Sequence, residues 1–181
     1  MNNKVVEKKI SDCFQEINNV KETLIKYQFK PLDKEREYFS KYMLIHISGV
    51  LEISYKTLIS DYCLLKSNVH LHNFFEIMIV KKSKNATISN ICEILKSLNS
   101  NLHQSFRDNL NSHKDASEIQ SAIKSLNTLR HSFAHGILTE KVYLNDIEKY
   151  FIQAVKMLDI LDEILVNTED KNFSNIQQIA N

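Results

Sequence analysis

The scarcity of turn-forming residues is the feature that most narrows what this chain can fold into. Its 181 residues include only two glycines and one proline. A β-rich domain needs glycine, proline and other turn residues at frequent intervals between its short strands. Long segments with helical periodicity and a hydrophobic content of 43% instead predict an all-α helical bundle with one sizeable core.

Apolar residues recur every three or four positions along most of the chain, which predicts six to seven helices. The longest pattern runs from Lys34 to about Lys66 and is apolar around nearly its whole circumference. We therefore expect this helix to be central to the bundle or to lie in an oligomer interface. Gly49 in its interior suggests that another helix crosses closely there. The other predicted helices cover residues 4–29, 69–82, 87–98, a stretch around 102–110, 116–134 and 145–166.

Breaks between these patterns predict the organisation of the chain. Pro31 ends the first helix, because the residue before a proline is pushed out of helical geometry. The polar residues 109–116 are predicted to be a connector, and Asn145 with Glu148 has the spacing of a capping box. We expect three parts: an N-terminal amphipathic helix in 1–31, a helical domain in 32–167, and a polar, frayed tail in 168–181.

Charge and cysteine content exclude several classes of protein. The net charge of +1 provides no global basic field, so a nucleic-acid site has to be a local patch. Cys13, Cys63 and Cys92 are widely spaced within helical patterns, which favours small buried residues in a reducing compartment over a disulfide framework or a zinc site. No signal peptide and no long apolar run is present, so we expect a cytoplasmic protein that does not span a membrane.

The densest group of chemically active side chains lies between Arg130 and Gly136. Gly136 supplies the left-handed residue that commonly closes a helix. The guanidinium of Arg130 suits phosphate, and histidine gives and takes protons near neutral pH. Arg130 and His135 together suit phosphoester cleavage by transesterification. Histidine would move the proton of a ribose 2′-hydroxyl or of the leaving oxygen, while arginine would stabilise charge on the phosphorane. This chemistry needs no metal or other cofactor.

The spacing of this pair constrains how a site can be built. Residues five apart differ by about 140° around an unbroken helix, so Arg130 and His135 cannot both face one phosphate from a straight helix. Either the helix unwinds near Gly136, or two copies of the motif meet across a two-fold interface. The second alternative predicts a homodimer.

Two further features of the sequence are candidates for roles beside this pair. Glu52 lies on the edge of the apolar stripe of the long helix, where a carboxylate is costly unless it is paired. It is either a tolerated boundary residue or a partner for an arginine or histidine elsewhere in the fold. Lys81, Lys82 and Lys84 form a small basic cluster in a predicted loop, which is either a solvated cluster or a contact for a phosphate backbone.

The segment Leu129-Arg130-His131-Ser132-Phe133-Ala134-His135-Gly136 resembles the R-x(4–6)-H signature of HEPN domains. It is close to the R-N-x-I-A-H-G form of the RiboL-PSP-type group. Ser48-Gly49-Val50-Leu51-Glu52 resembles part of that group's long helix, and residues 85–95 resemble its short helix. The similarity covers residues 34–166. The chain departs from the pattern at His131, where asparagine or aspartate is commoner, and in lacking a proline after Asn85.

This resemblance implies an all-α, HEPN-like ribonuclease domain that dimerises so that two motifs form one site. Such domains cut RNA without a metal, leave a 2′,3′-cyclic phosphate and a 5′-hydroxyl, and serve as toxins, anti-phage effectors or RNA-processing enzymes. The resemblance implies catalytic roles for Arg130 and His135. His131 would orient them or contact RNA, and Glu52 would be a supporting residue. An antitoxin or a defence-system protein would be a further partner.

Three alternatives stay open at this point. Arg130 and the histidines could simply cap the C-terminal end of a helix, where basic side chains meet the helix dipole favourably. The domain could be a non-catalytic HEPN module that binds RNA, dimerises or regulates a partner in a toxin–antitoxin or defence system. His131 and His135 have the spacing of two zinc ligands on one helix face, although no third ligand is evident nearby.

Overall fold

The computed structural model describes residues 1–30, 33–66, 73, 75–82, 84–137 and 141–179. Within these residues the chain forms six α-helices and one π-helix, and no strand occurs among them. The all-α prediction is therefore confirmed. The α-helices are α1 (Lys4–Lys26), α2 (Lys34–Lys66), α3 (Ile88–Leu98), α4 (Ser100–Ser112), α5 (Ala116–Ala134) and α6 (Leu144–Ile179), and the π-helix is Glu76–Val80.

Helices α2 and α6 form the centre of the bundle. Helix α2 packs against α1, α5, α6 and the π-helix, while α6 also contacts α4 and α5, and α3 packs on α4. Both central helices contribute large side chains that are fully buried, among them Tyr55, Ile59 and Phe151. The predicted central place of the long helix is confirmed, since burial on several sides explains its nearly all-round apolar sequence.

Helix α1 packs into this core. Its buried face includes Val6, Ile17 and Leu24, and the ring of Phe14 lies 4.7 Å from that of Phe151 on α6. The division of the chain into parts 1–31, 32–167 and 168–181 stays a prediction, but the first part contributes to the same hydrophobic core as the rest.

The connector predicted at residues 109–116 is shorter than expected. Helix α4 continues to Ser112 and α5 begins at Ala116, so residues 113–115 form the connector. Leu110, the last apolar residue of the predicted pattern, is buried against the core like Phe106. Its burial favours completing the helical turn in the polar residues that follow, despite their weak helix propensity.

The predicted limits of the last helix are also wrong. Helix α6 begins at Leu144, so Asn145 lies inside its first turn and cannot be the N-cap. Glu148 does not close a capping box; it forms an ion pair of 2.5 Å with Lys21 of α1. At the other end the helix passes Val166 and continues to Ile179, because no glycine or proline interrupts the sequence there. Of the predicted helix 69–82, residues 73 and 75–82 are described and include the π-helix Glu76–Val80, while the other residues lie outside the described part of the chain.

Gly49 does not mark a helix crossing. A Cβ atom built on Gly49 would meet nothing within 4 Å, so none of the described residues makes the predicted close approach. The three cysteines are free; Cys13 and Cys63 are buried and Cys92 is half-buried, as their positions in helical patterns predicted. Among the described residues, none of the helices combines the length and the apolar composition needed to cross a bilayer.

Candidate functional site

The end of α5 carries the Arg130–Gly136 motif on a well-formed helix terminus. The amide of Ile137 donates to the carbonyl of Ser132 at 2.9 Å, and that of Gly136 donates to Phe133 at 3.0 Å. This pair of bonds is a Schellman motif. Gly136 has a φ of 68°, so the predicted left-handed closing residue is confirmed.

Replacing Gly136 with alanine is expected to lower the free energy of unfolding by about 1 kcal/mol, because an L side chain is strained in the left-handed region. The strain is confined to the backbone, since a Cβ atom at Gly136 would have no neighbour within 4 Å. Urea denaturation measures the change. Gly136→Asn is the matched control. Asparagine tolerates the left-handed conformation, so this variant should lower the free energy of unfolding by less than Gly136→Ala does. Equal stability of Gly136→Ala and the wild type would contradict the assigned helix end.

Arg130 is half-buried and points from α5 toward the start of α3. Its Nη1 donates a hydrogen bond to Oδ1 of Asn85, which lies three residues before α3. Ser48 of α2 and Asn127 of α5 line the same small cavity as these two residues. The arginine is thus anchored at the junction of three helices, and the sequence analysis did not predict Asn85 as its partner.

The two histidines of the motif lie on the exposed end of α5. His135 is the C-cap residue, and its amide still donates to the carbonyl of His131 at 3.1 Å. The imidazole rings of His131 and His135 are exposed, with their centroids 4.3 Å apart. No hydrogen bond, ion pair or ring contact joins Arg130 to His135 among the described residues.

The helix keeps its α-helical hydrogen bonding up to His135 and ends in the turn at Gly136, so no unwinding near Gly136 brings His135 onto the face of Arg130. Arg130 faces Asn85 while His135 faces solvent, as the angular separation of about 140° requires. The composite site formed by two copies stays a prediction.

Glu52 has a different partner from the arginine or histidine considered in the sequence analysis. Its Oε1 accepts from Nζ of Lys56 at 2.7 Å and from the backbone amide of Lys84 at 3.1 Å. The prediction of an arginine or histidine partner is thus wrong. The physical reason is that Lys56 lies one turn further along α2, a spacing at which lysine pairs favourably with glutamate. The supporting role of Glu52 at the site stays a prediction.

The basic cluster of Lys81, Lys82 and Lys84 is partly neutralised. Lys81 lies 3.2 Å from the carboxylate of Glu76, and Lys84 lies 2.8 Å from that of Glu93. The hydrogen bond from Lys84 holds the pKa of Glu93 below its ordinary value. Two of the three ammonium groups therefore already have a carboxylate nearby, and the proposed contact of this cluster with RNA stays a prediction.

A groove beside the motif was not predicted from the sequence. It has a volume of about 440 Å³, and no acidic residue lines it. The polar face of α5 supplies most of the lining, with side chains three or four positions apart, so this periodicity was the available signal. The lining residues are Thr87, Ile88, Gln120, Ile123, Lys124, Asn127, Thr128 and His131.

No group of three or more histidine, cysteine, aspartate or glutamate side chains in the described parts of the chain could hold a metal ion. His131 and His135 lie close together, but a zinc site needs at least one further protein ligand. What this end of α5 can supply is proton transfer by imidazole and a fixed positive charge.

Comparison with known families gives one result that bears on this site. The family model RiboL-PSP-HEPN matches residues 4–167. The match includes α1, whereas the similarity noted in the sequence began at residue 34. No curated protein and no solved structure matches the chain.

Proposed function

The chain belongs to the RiboL-PSP-HEPN family, and from this we propose that it is a metal-independent endoribonuclease that acts as a homodimer. It would cut RNA by attack of the 2′-hydroxyl and leave 2′,3′-cyclic phosphate and 5′-hydroxyl ends. We further propose that it is a cytoplasmic toxin or anti-phage effector. The observation that carries the proposal is the end of α5, which bears a fixed arginine and two exposed histidines.

Each side chain of the motif would have a separate task. An exposed imidazole at His135 can reach a substrate without rearrangement of the fold, and it would take the proton of the 2′-hydroxyl or give one to the leaving oxygen. Arg130 carries a permanent charge in a defined place, and it would stabilise the negative charge that develops on the phosphorane. His131, in ring contact with His135, would orient that histidine or contact the RNA.

A second copy of the chain would complete the site through the outer face of α2. This face carries an apolar stripe at spacings of four, three, four and four residues, formed by Tyr38, Tyr42, Ile45, Gly49 and Ile53. The four large side chains of the stripe are exposed. Gly49 at its centre has open space where a Cβ would lie, so the backbone of another helix could approach closely there.

This stripe is continuous with the end of α5, which argues for a second copy as its occupant. Nζ of Lys41, on the edge of the stripe, lies 5.8 Å from the ring centroid of Phe133. Phe133 and Ile137 are exposed apolar residues of the motif helix and its closing turn. A two-fold axis through this surface would therefore bring two motif ends together, and the angular separation of Arg130 and His135 supports such a composite site.

The groove along α5 would take the RNA chain next to the scissile phosphate. It includes His131 of the motif and Lys124, and it has no carboxylate in its lining, which favours a polyanion. The amide side chain of Gln120 could hydrogen-bond to base edges, while Ile88 offers apolar contact to a base face.

The proposal is tested by incubating the purified protein with single-stranded RNA in excess EDTA. Cleavage with cyclic phosphate ends is expected, and Arg130→Ala should lower kcat/KM by about 10²- to 10³-fold without unfolding the protein. Undiminished cleavage by Arg130→Ala would contradict the assignment. RNA binding without cleavage at any enzyme concentration would instead identify a non-catalytic module.

A further inference from the structure

A buried ion pair on α2 lies next to the site without belonging to the motif. The side chains of Glu52 and Lys56 are only 14% and 8% exposed. Burying two charges costs several kcal/mol unless further hydrogen bonds satisfy them. Here those bonds come from the backbone of Val80, Lys82 and Lys84, so the pair is an attachment point for this segment.

Three side chains of α2 form hydrogen bonds with this segment. We call these three residues, Glu52, Tyr55 and Lys56, the α2 clamp. Nζ of Lys56 donates to the carbonyl oxygens of Val80, at 3.4 Å, and of Lys82. Oε1 of Glu52 accepts the amide of Lys84 at 3.1 Å. The hydroxyl of Tyr55 donates to the carbonyl of Lys84 at 2.8 Å. Burial and the nearby Glu52 carboxylate raise the pKa of Tyr55, which keeps this hydroxyl protonated as a donor.

The next residue along the chain is Asn85, the partner of Arg130. Its carbonyl accepts from Nδ2 of Asn90 at 2.9 Å and from the amide of Thr87 at 2.8 Å. Nδ2 of Asn127, on the motif helix, donates to the carbonyl of Ala86 at 3.3 Å. Asn85 is therefore held on its N-terminal side by the α2 clamp and on its C-terminal side by α3 and α5.

We propose that Asn85 is a positioning residue that fixes the guanidinium of Arg130 for catalysis, and that the α2 clamp holds Asn85 in place. The inference rests on the proposed function for its catalytic part. An arginine side chain has many rotamers, and a site that must find the correct one during each turnover loses rate. A bond from a rigid segment restricts Arg130 to one orientation before RNA arrives.

The α2 clamp also gives Glu52 an indirect role at the site, although Glu52 lies far from the motif in sequence. Glu52 does not contact Arg130; it acts through the amide of Lys84 and then through Asn85. Its effect on activity is thereby predicted to be indirect and to depend on the presence of Arg130.

Steady-state kinetics test the positioning role. Asn85→Ala should lower kcat by about tenfold or more with little change in KM, because one hydrogen bond to a charged group contributes about that factor. Asn85→Asp keeps an acceptor oxygen for Arg130 and should retain most of the activity. A rise in KM alone, or an Asn85→Ala enzyme as fast as the wild type, would overturn the proposal.

A matched pair of substitutions tests the clamp. Glu52→Gln removes the charge that Lys56 and the Lys84 amide contact, whereas Glu93→Gln makes the same chemical change at the exposed partner of Nζ of Lys84. Glu52→Gln should lower kcat severalfold, and Glu93→Gln should leave it unchanged. Equal effects of both variants would overturn the role of the clamp.

A measurement without RNA separates this inference from the proposed function. The chain has three arginines, Arg36, Arg107 and Arg130, so the ¹⁵N guanidinium signals can be assigned by single substitutions. Hindered rotation should give resolved Nη signals for Arg130 in the wild type, and Asn85→Ala should collapse them. Resolved signals in Asn85→Ala would overturn the positioning role even if the protein is a ribonuclease. Loss of these signals in a protein that never cleaves RNA would support it while the function fails.

Discussion

Replacing His135 with alanine should reduce the RNA-cleavage rate by about 10³-fold, the typical contribution of a general acid or base. The fold should be unaffected, because His135 is exposed, lies at the C-cap, and contributes its backbone and not its side chain to the helix end. Cleavage of a labelled single-stranded RNA in EDTA measures the rate, and circular dichroism with thermal unfolding checks the fold. The expected result is a stable, dimeric and inactive protein.

His103→Ala is the matched control for this substitution. His103 is a partly exposed histidine on α4, away from the motif, and its loss should leave the rate of cleavage unchanged. If His135→Ala lost about 1 kcal/mol of stability and kept full activity, the histidine would be a helix cap and not a catalytic group. An equal loss of cleavage activity in His135→Ala and His103→Ala would show that the effect is not specific to His135.

Placing glutamate at both Ile45 and Ile53 should separate the proposed dimer and abolish cleavage. These side chains are 39% and 52% exposed in the single chain, so each variant monomer should still fold. Burying two isoleucines at an interface is worth about 3 kcal/mol, so the dimer should weaken by about a hundredfold or more. Carboxylates facing each other across a two-fold axis would add repulsion. Light scattering gives the oligomeric state, and the RNA assay gives activity.

Ile25→Glu is the control for this surface. Ile25 is 73% exposed near the end of α1 and lies outside the α2 stripe, so this variant should stay dimeric and active. A double variant that remains dimeric would show that the stripe is not the interface. A monomeric double variant that cleaves RNA at the wild-type rate would contradict the composite site.

The helices could be predicted from the sequence because their apolar residues repeat over many turns. The bounds of α2 agree with the pattern from Lys34 to Lys66, and Gly136 marked the end of α5 correctly. The pattern failed at helix ends that lie in polar sequence. Helix α4 continues past Leu110 to Ser112, and α6 continues past Val166 because no glycine or proline stops it.

The motif itself was visible in the sequence, but most of its surroundings were not. The pair Glu52 and Lys56 could have been noticed, since glutamate four residues before lysine is a favourable helical spacing. The contact of Glu52 with Lys84 spans 32 positions and that of Arg130 with Asn85 spans 45. Neither follows from local periodicity, because the packing of α2, α3 and α5 brings these residues together.

The burial of the native cysteines has a practical consequence for studying this protein. Burial raises the pKa of Cys13 to about 12 and that of Cys63 to about 11, and it also raises the pKa of Cys92. Few thiolates are therefore present at neutral pH to react with maleimides or nitroxide reagents. An Ile25→Cys substitution would place one reactive thiol at a position that is 73% exposed and lies outside the α2 stripe. Spin labels there could measure the distance between two copies without first removing the natural thiols.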